Sequence, residues 1–342
     1  IFVKKGQFER ALPLLRSALS LDSSSPEIRR NLSQTLVERA SELLSAGKSD
    51  AAKPLLYEAL DVDSANGPGW LILGDILYIR ESRLEDALSA WQKALGLAPK
   101  DKRALVIDRI TKAKLDQSVE RNFEQISTDH FLIRYHQGFD LKKIETMGQF
   151  MEERYELLSR ELGVAPQAIT LIVYPTGSFE RINRRADWAV GLYDGRIRLR
   201  EDDIGSLQEK TILSHELAHA FLFEGFGGTL PTWVHEGYAQ LKEFQPGSSI
   251  NDPEMQKALE NRYQWIPIKW LDKRFSQPDS DADVNRAYIE ARMAVKHLLD
   301  RFGGQKFALF LKKMSEGQPL DKAFDETYRP ARFSRFSAGI FE

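Results

Sequence analysis

Three look-alike segments near the start of the chain constrain its fold more than any other feature. The first runs from Gly6 to Leu19, the second from Gly47 to Leu60 and the third from Arg83 to Leu95. Small residues align at Ala11, Ala52 and Ala87, and again at Ala18, Ala59 and Ala94. Ala11 lies 41 residues before Ala52, and Ala52 lies 35 before Ala87. Such recurrence suits stacked helix pairs, because alanine lets neighbouring helices approach while Leu, Trp and Tyr fill the grooves between them. The longer period needs about two additional helical turns, which the continuous pattern from Leu32 to Leu44 can supply. Asp101 to Val119 reads as a further helix that could cap the array.

These segments resemble tetratricopeptide repeats. Trp70-x-x-Leu73-Gly74 carries that family's first-helix pattern, and Leu97-Ala98-Pro99 ends a helix where the family ends its second. The resemblance covers residues 1–120 and implies an all-α solenoid. Its concave surface could bind a protein partner, or the array could be a spacer or a dimerisation element.

The pattern changes near residue 125. Phe131, Ile133 and Tyr135 alternate with more polar neighbours, which is the period of a strand. A helix is expected from about Leu141 to Leu162, and Ile169 to Tyr174 is a strand stopped by Pro175. Tyr193-Asp194-Gly195 turns into Arg196-Ile197-Arg198-Leu199-Arg200, which alternates cleanly. It reads as an exposed or edge strand whose arginines, like Arg184 and Arg185, sit on a solvated face; facing a cleft, they would favour anionic partners. Helix resumes at Leu207. The order strand, helix, strand, strand, helix implies an α+β unit over residues 127–245. Residues 246–342 read as a helical lobe. Its helices start near Ile266 (after a short helix), at Ala287 (to Phe302, closed by Gly303-Gly304), at Phe307 and at Pro319, and a last amphipathic stretch holds Phe333 and Phe336.

The chemistry concentrates in His215-Glu216-Leu217-Ala218-His219. Residues four apart share a helix face, so both imidazoles can reach one cation while Glu216 addresses a water beside it. A glycine-rich turn follows, then Thr232, a candidate N-cap, and Trp233-Val234-His235-Glu236-Gly237-Tyr238-Ala239. Sixteen residues separate His219 from Glu236, enough for a reversal that returns Glu236 as third ligand.

The two motifs together resemble the peptidase MA-like, or gluzincin-type, metallopeptidase domains, over roughly residues 127–335. The resemblance implies a zincin-like fold, Zn2+ held by His215, His219 and Glu236, and Glu216 as base and later acid. Tyr288, ahead of an amphipathic helix, is the candidate oxyanion partner and so the second catalytic residue, with Arg292 a weaker choice. Asp283 or Glu290 would orient a ligand imidazole. His235 points either at substrate or at solvent, Tyr238 reads as packing, and Gly237 as the close approach of the two metal-motif helices. The strand Arg196–Arg200, if beside the metal helix, could pair with an extended substrate.

Composition excludes several alternatives. The chain has 342 residues with a net charge of −2, from 48 Lys and Arg against 50 Asp and Glu, so no global nucleic-acid footprint is expected. It lacks Cys, which removes disulfides and thiolate chemistry. No apolar run reaches the ~18 residues of a membrane span. The chain opens on Ile1 inside a helical pattern, which reads as a fragment or trimmed chain from which a signal or anchor could have been removed, and periplasmic or extracytoplasmic placement is slightly favoured. The reading is a zinc metallopeptidase acting on a protein or peptide. The alternative is a repeat-based interaction or scaffolding protein with a structural or weakly active zinc site.

Overall fold

The computed structural model describes residues 7–45, 48–167, 169–182, 191–227, 230–243, 265–277 and 280–338. Arg184, Arg185 and the short helix expected before Ile266 lie outside them. An N-terminal helical-repeat region leads into a central mixed α/β segment and then a C-terminal helical lobe.

Helices α1 (Phe8–Leu21), α2 (Pro26–Ser45), α3 (Ser49–Val62), α4 (Gly67–Ile79), α5 (Leu84–Leu97) and α6 (Arg103–Glu120) stack in order, each mainly on its neighbours. Ala11, Ala52, Ala59, Ala87 and Ala94 are buried at the helix crossings. The longer first period comes from α2, which runs 20 residues. Gly74 shows why the Trp-x-x-Leu-Gly pattern matters: a Cβ there would meet the Trp91 indole at 2.5 Å. That indole donates to the Leu71 carbonyl and to Asp75.

The sheet contains β1 (Phe123–Ser127), β2 (Phe131–His136), β3 (Ile169–Tyr174), β4 (Gly191–Tyr193) and β5 (Ile197–Arg200), in the order β1-β2-β3-β5-β4. β2, β3 and β5 are parallel, while β1 and β4 run antiparallel at the edges. The arginine-bearing strand is therefore interior, not the expected edge. One sheet face presents Ile133, Leu171, Val173, Ile197 and Leu199 to α7 (Leu141–Leu162) and α9 (Glu209–Phe226), forming the main core. A short helix α8 (Thr176–Ile182) follows β3 and packs Phe179 beside Ile172 and Tyr174 on the opposite face.

That opposite face also corrects the solvated-arginine expectation. Arg196 and Arg198 are fully buried against the repeats. Arg196 donates to Asp116 at 2.7 Å and Glu120 at 2.8 Å, both on α6. Arg198 donates to both Asp116 oxygens, at 2.8 and 2.9 Å, and to the Tyr78 and Tyr174 hydroxyls. Arg134 of β2 pairs with Glu120. Ser82, between α4 and α5, adopts φ of 52°, an uncommon conformation for a residue with a Cβ. Its hydroxyl accepts from Arg196 and Arg134. Of the three arginines at positions 196, 198 and 200, Arg200 is the partly exposed one, paired with Asp203. The last repeat helix keeps Arg103, Asp108, Thr111, Lys114 and Ser118 exposed on its outer side, while its buried Asp116 and Glu120 neutralise the arginine face.

Helix α10 (Thr232–Lys242) follows α9 and leads to the lobe: α11 (Ile268–Ser276), α12 (Asp281–Phe302), α13 (Gly304–Ser315), α14 (Leu320–Thr327) and α15 (Phe333–Ser337). Phe307, Phe310, Phe324, Tyr328 and Phe336 close its core.

Candidate metal centre

Helix α9 buries Leu213, Leu217, Ala218, Ala220 and Phe221, leaving His215 and His219 half-buried on its other side. Their Nε2 atoms lie 3.1 Å apart. The Glu236 Oε2, from α10, lies 3.8 Å from each. All three donor atoms fall within 4.8 Å of one another, a group that could hold a metal ion. Glu216 is buried beside them.

What fixes α10 differs from the sequence expectation in three respects. Thr232 is not the N-cap; it is the first helical residue, and Asp272 of α11 accepts from the Trp233 N–H at 2.9 Å. Gly237 does serve a close approach, but to α12: a Cβ there would meet the Ala291 carbonyl oxygen at 2.4 Å. The imidazole-orienting carboxylate is neither Asp283 nor Glu290. Asp283 faces Arg274, and Glu290 accepts from Arg286 and the Ile266 N–H. Glu243, at the C-terminal end of α10, bonds His215 Nδ1 at 2.8 Å. The sequence held a signal for it, since Glu236 and Glu243 are two turns apart on one helix face. Arg154 of α7 anchors that end by donating to the Lys242 carbonyl at 2.6 Å. Glu161 of α7 accepts from Lys242 and from Tyr238, whose fully buried ring packs as expected.

The electrostatics separate the two histidines. Burial pushes His215 down, but the Glu243 hydrogen bond and the charges of Glu216, Glu243 and Glu236 outweigh it and raise it to about 9. Burial, with His215 and His235 nearby, holds His219 well below the usual range and so neutral, as a ligand must be. Burial raises Glu216 to about 7, with His215 opposing and Glu236 reinforcing. It raises Glu236 as well.

Tyr288 of α12 is half-buried, edge-on to Phe275. Burial and the charges of Glu236 and Glu216 push its phenol up to about 12, so the hydroxyl stays protonated beside the cluster. Arg292 is buried one turn further on. His235 is half-buried: its ring lies 5.8 Å from that of His219, and burial lowers it to about 4. The strand that neighbours α9 at the sheet edge is β4.

The tetratricopeptide repeat family matches residues 37–102, the stretch from the second half of α2 through α5 to the residue before α6. No curated protein matches the chain. Among the described residues, no helix is long and apolar enough to cross a membrane.

Proposed function

We propose that the chain is a zinc-dependent metallopeptidase of the gluzincin type, with His215, His219 and Glu236 as ligands and Glu216 as general base. The observation that carries this reading is the convergence of three donors from two helices beside a buried carboxylate that is not one of them. Separations of 3.1 and 3.8 Å suit a tetrahedral ion, whose ligands lie roughly 3.3 Å apart at bonds of about 2.0–2.1 Å. Two imidazoles and a carboxylate are a set that catalytic zinc sites use. When bound, zinc would supply Lewis-acid activation of a water and of the substrate carbonyl.

The remaining work falls to the chain's own residues. Glu216 takes a proton from the attacking water and passes it to the leaving amine nitrogen, a role suited to a carboxylate poised near neutrality. Tyr288 keeps its proton and donates to the oxygen that gains charge. Glu243 holds His215 with Nε2 toward the shared point. β4 offers main-chain groups to an extended peptide, which moves the substrate-pairing role from β5 to the antiparallel edge strand. The proposed division keeps the repeats at 1–120 and the lobe at 246–342. It starts the sheet unit at Phe123, because β1 pairs with β2.

Metal content and turnover on a broad peptide library, wild type against Glu216→Gln, test the reading. Both proteins should hold zinc, with turnover of the variant lower by roughly 10²–10⁴-fold. A zinc-loaded wild type that cleaves nothing would favour the interaction protein built on the repeats.

A further inference from the structure

A groove of about 330 Å³ runs between the inner sides of α2 and α4 and the C-terminal turn of α9. Its apolar lining comes from Leu44, Ile72, Ile76, Ile79 and Phe223. The charges around it are already matched: Arg80 pairs with Glu224, and Asp75 with Arg109 at 2.7 Å. That leaves an apolar surface in need of an apolar occupant.

Its position says what that occupant is. His215, His219 and Phe223 recur every four residues, so they share one stripe of α9 at roughly 6 Å per step. Phe223 is 41% exposed, and its ring lies edge-on to Tyr193 of edge strand β4 at 5.8 Å. The groove is thus continuous with both the metal-motif helix and the strand that would hold an extended chain. One wall is metal-motif helix and the other is repeat. We infer that this groove is a second contact site for the substrate polypeptide, taking an apolar segment of the same unfolded chain whose scissile bond lies at the metal centre. The inference rests on the peptidase reading for the identity of the occupant. An extended chain advances ~3.3 Å per residue, so about two residues span one helical step of roughly 6 Å, and a segment only a few residues from the scissile bond reaches the groove.

The test measures binding without turnover. Fluorescein-labelled, reduced and carboxymethylated α-lactalbumin, a permanently unfolded chain with apolar segments, is titrated into the full chain carrying Glu216→Gln. Adding Ile72→Asp or Leu44→Asp should weaken binding on the order of tenfold, the worth of one buried aliphatic side chain, whereas Ile72→Val should bind like the parent. Leu105→Asp, at an exposed position on α6, is the surface control. Groove variants that keep their circular dichroism and Tm yet bind as tightly as the parent would overturn the inference. Because the chain lacks Cys, Leu44→Cys can carry an environment-sensitive dye. The unfolded probe should shift its emission to the blue and leave a dye at Leu105→Cys unchanged; equal responses would also overturn the inference. If wild type hydrolyses nothing but these binding differences hold, the peptidase reading falls and the groove stands. Turnover with unchanged binding gives the reverse.

Discussion

Glu243 illustrates how much of the site depends on a single side chain outside the two motifs. It bonds His215 Nδ1 at 2.8 Å, fixing the ring orientation that turns Nε2 toward His219 and Glu236. Carboxylates in that position typically contribute 10–100-fold to metal affinity. Glu243→Ala should therefore weaken zinc binding by about that factor in a chelator competition while leaving Tm of the metal-free protein nearly unchanged; unchanged affinity would remove Glu243 from the site. Gly237 acts through space rather than chemistry. With the Ala291 carbonyl oxygen 2.4 Å from where its Cβ would sit, Gly237→Ala must push α10 off α12. Urea unfolding should show a loss of roughly 1–3 kcal/mol, and metal affinity should fall with it, because Glu236 rides on the displaced helix.

At the scale of elements, α10 depends on neighbours distant in sequence. Its first turn is capped by Asp272, and its last carbonyl, that of Lys242, is held by Arg154. Asp272→Ala should cost about 0.5–2 kcal/mol, seen as a lower midpoint in thermal or urea melts; no change would mean that water caps the helix equally well. This dependence explains what the sequence could and could not reveal. Amphipathic helices such as α7 declare themselves through their own periodicity, and α7 spans Leu141–Leu162 as read. The histidine spacing declares one helix face, and Glu236 follows from a reversal of limited length. β1 escaped notice because three of its five residues are exposed and its burial does not alternate. The strand Ile197–Arg200 shows the limit most clearly. Alternation correctly separates Ile197 and Leu199 from the arginines, but it cannot say what covers the arginine face. That answer lies in Asp116 and Glu120, far upstream on a helix that gives no local sign of its partner.

Across the whole molecule, the same arginine face makes the repeats part of the folding unit rather than an appended module. Arg196, Arg198, Asp116 and Glu120 are all fully or almost fully excluded from water, so each charge depends on its partners. Removing one partner from such a network typically costs ~3–5 kcal/mol, whereas apolar replacement of the whole set can be neutral. Asp116→Asn, which leaves two guanidiniums short of a counter-charge, should destabilise the full chain by about that amount in urea. The network also sets an acid limit. Burial alone would raise Asp116 and Asp194, but Arg198 and Arg196 around the first, and Arg198 and Lys112 around the second, hold both below the usual carboxylate value. Because the folded values lie below the unfolded one of about 3.9, their contribution is fully present above that pH and disappears as pH falls through the folded values. The urea midpoint should therefore hold near neutrality and drop steeply below about pH 4. In Asp116→Asn the drop should be shallower, since one of the depressed carboxylates no longer titrates. An acid limb equally steep in both proteins would place the sensitive carboxylates elsewhere and remove the repeat–sheet junction as the origin of acid unfolding.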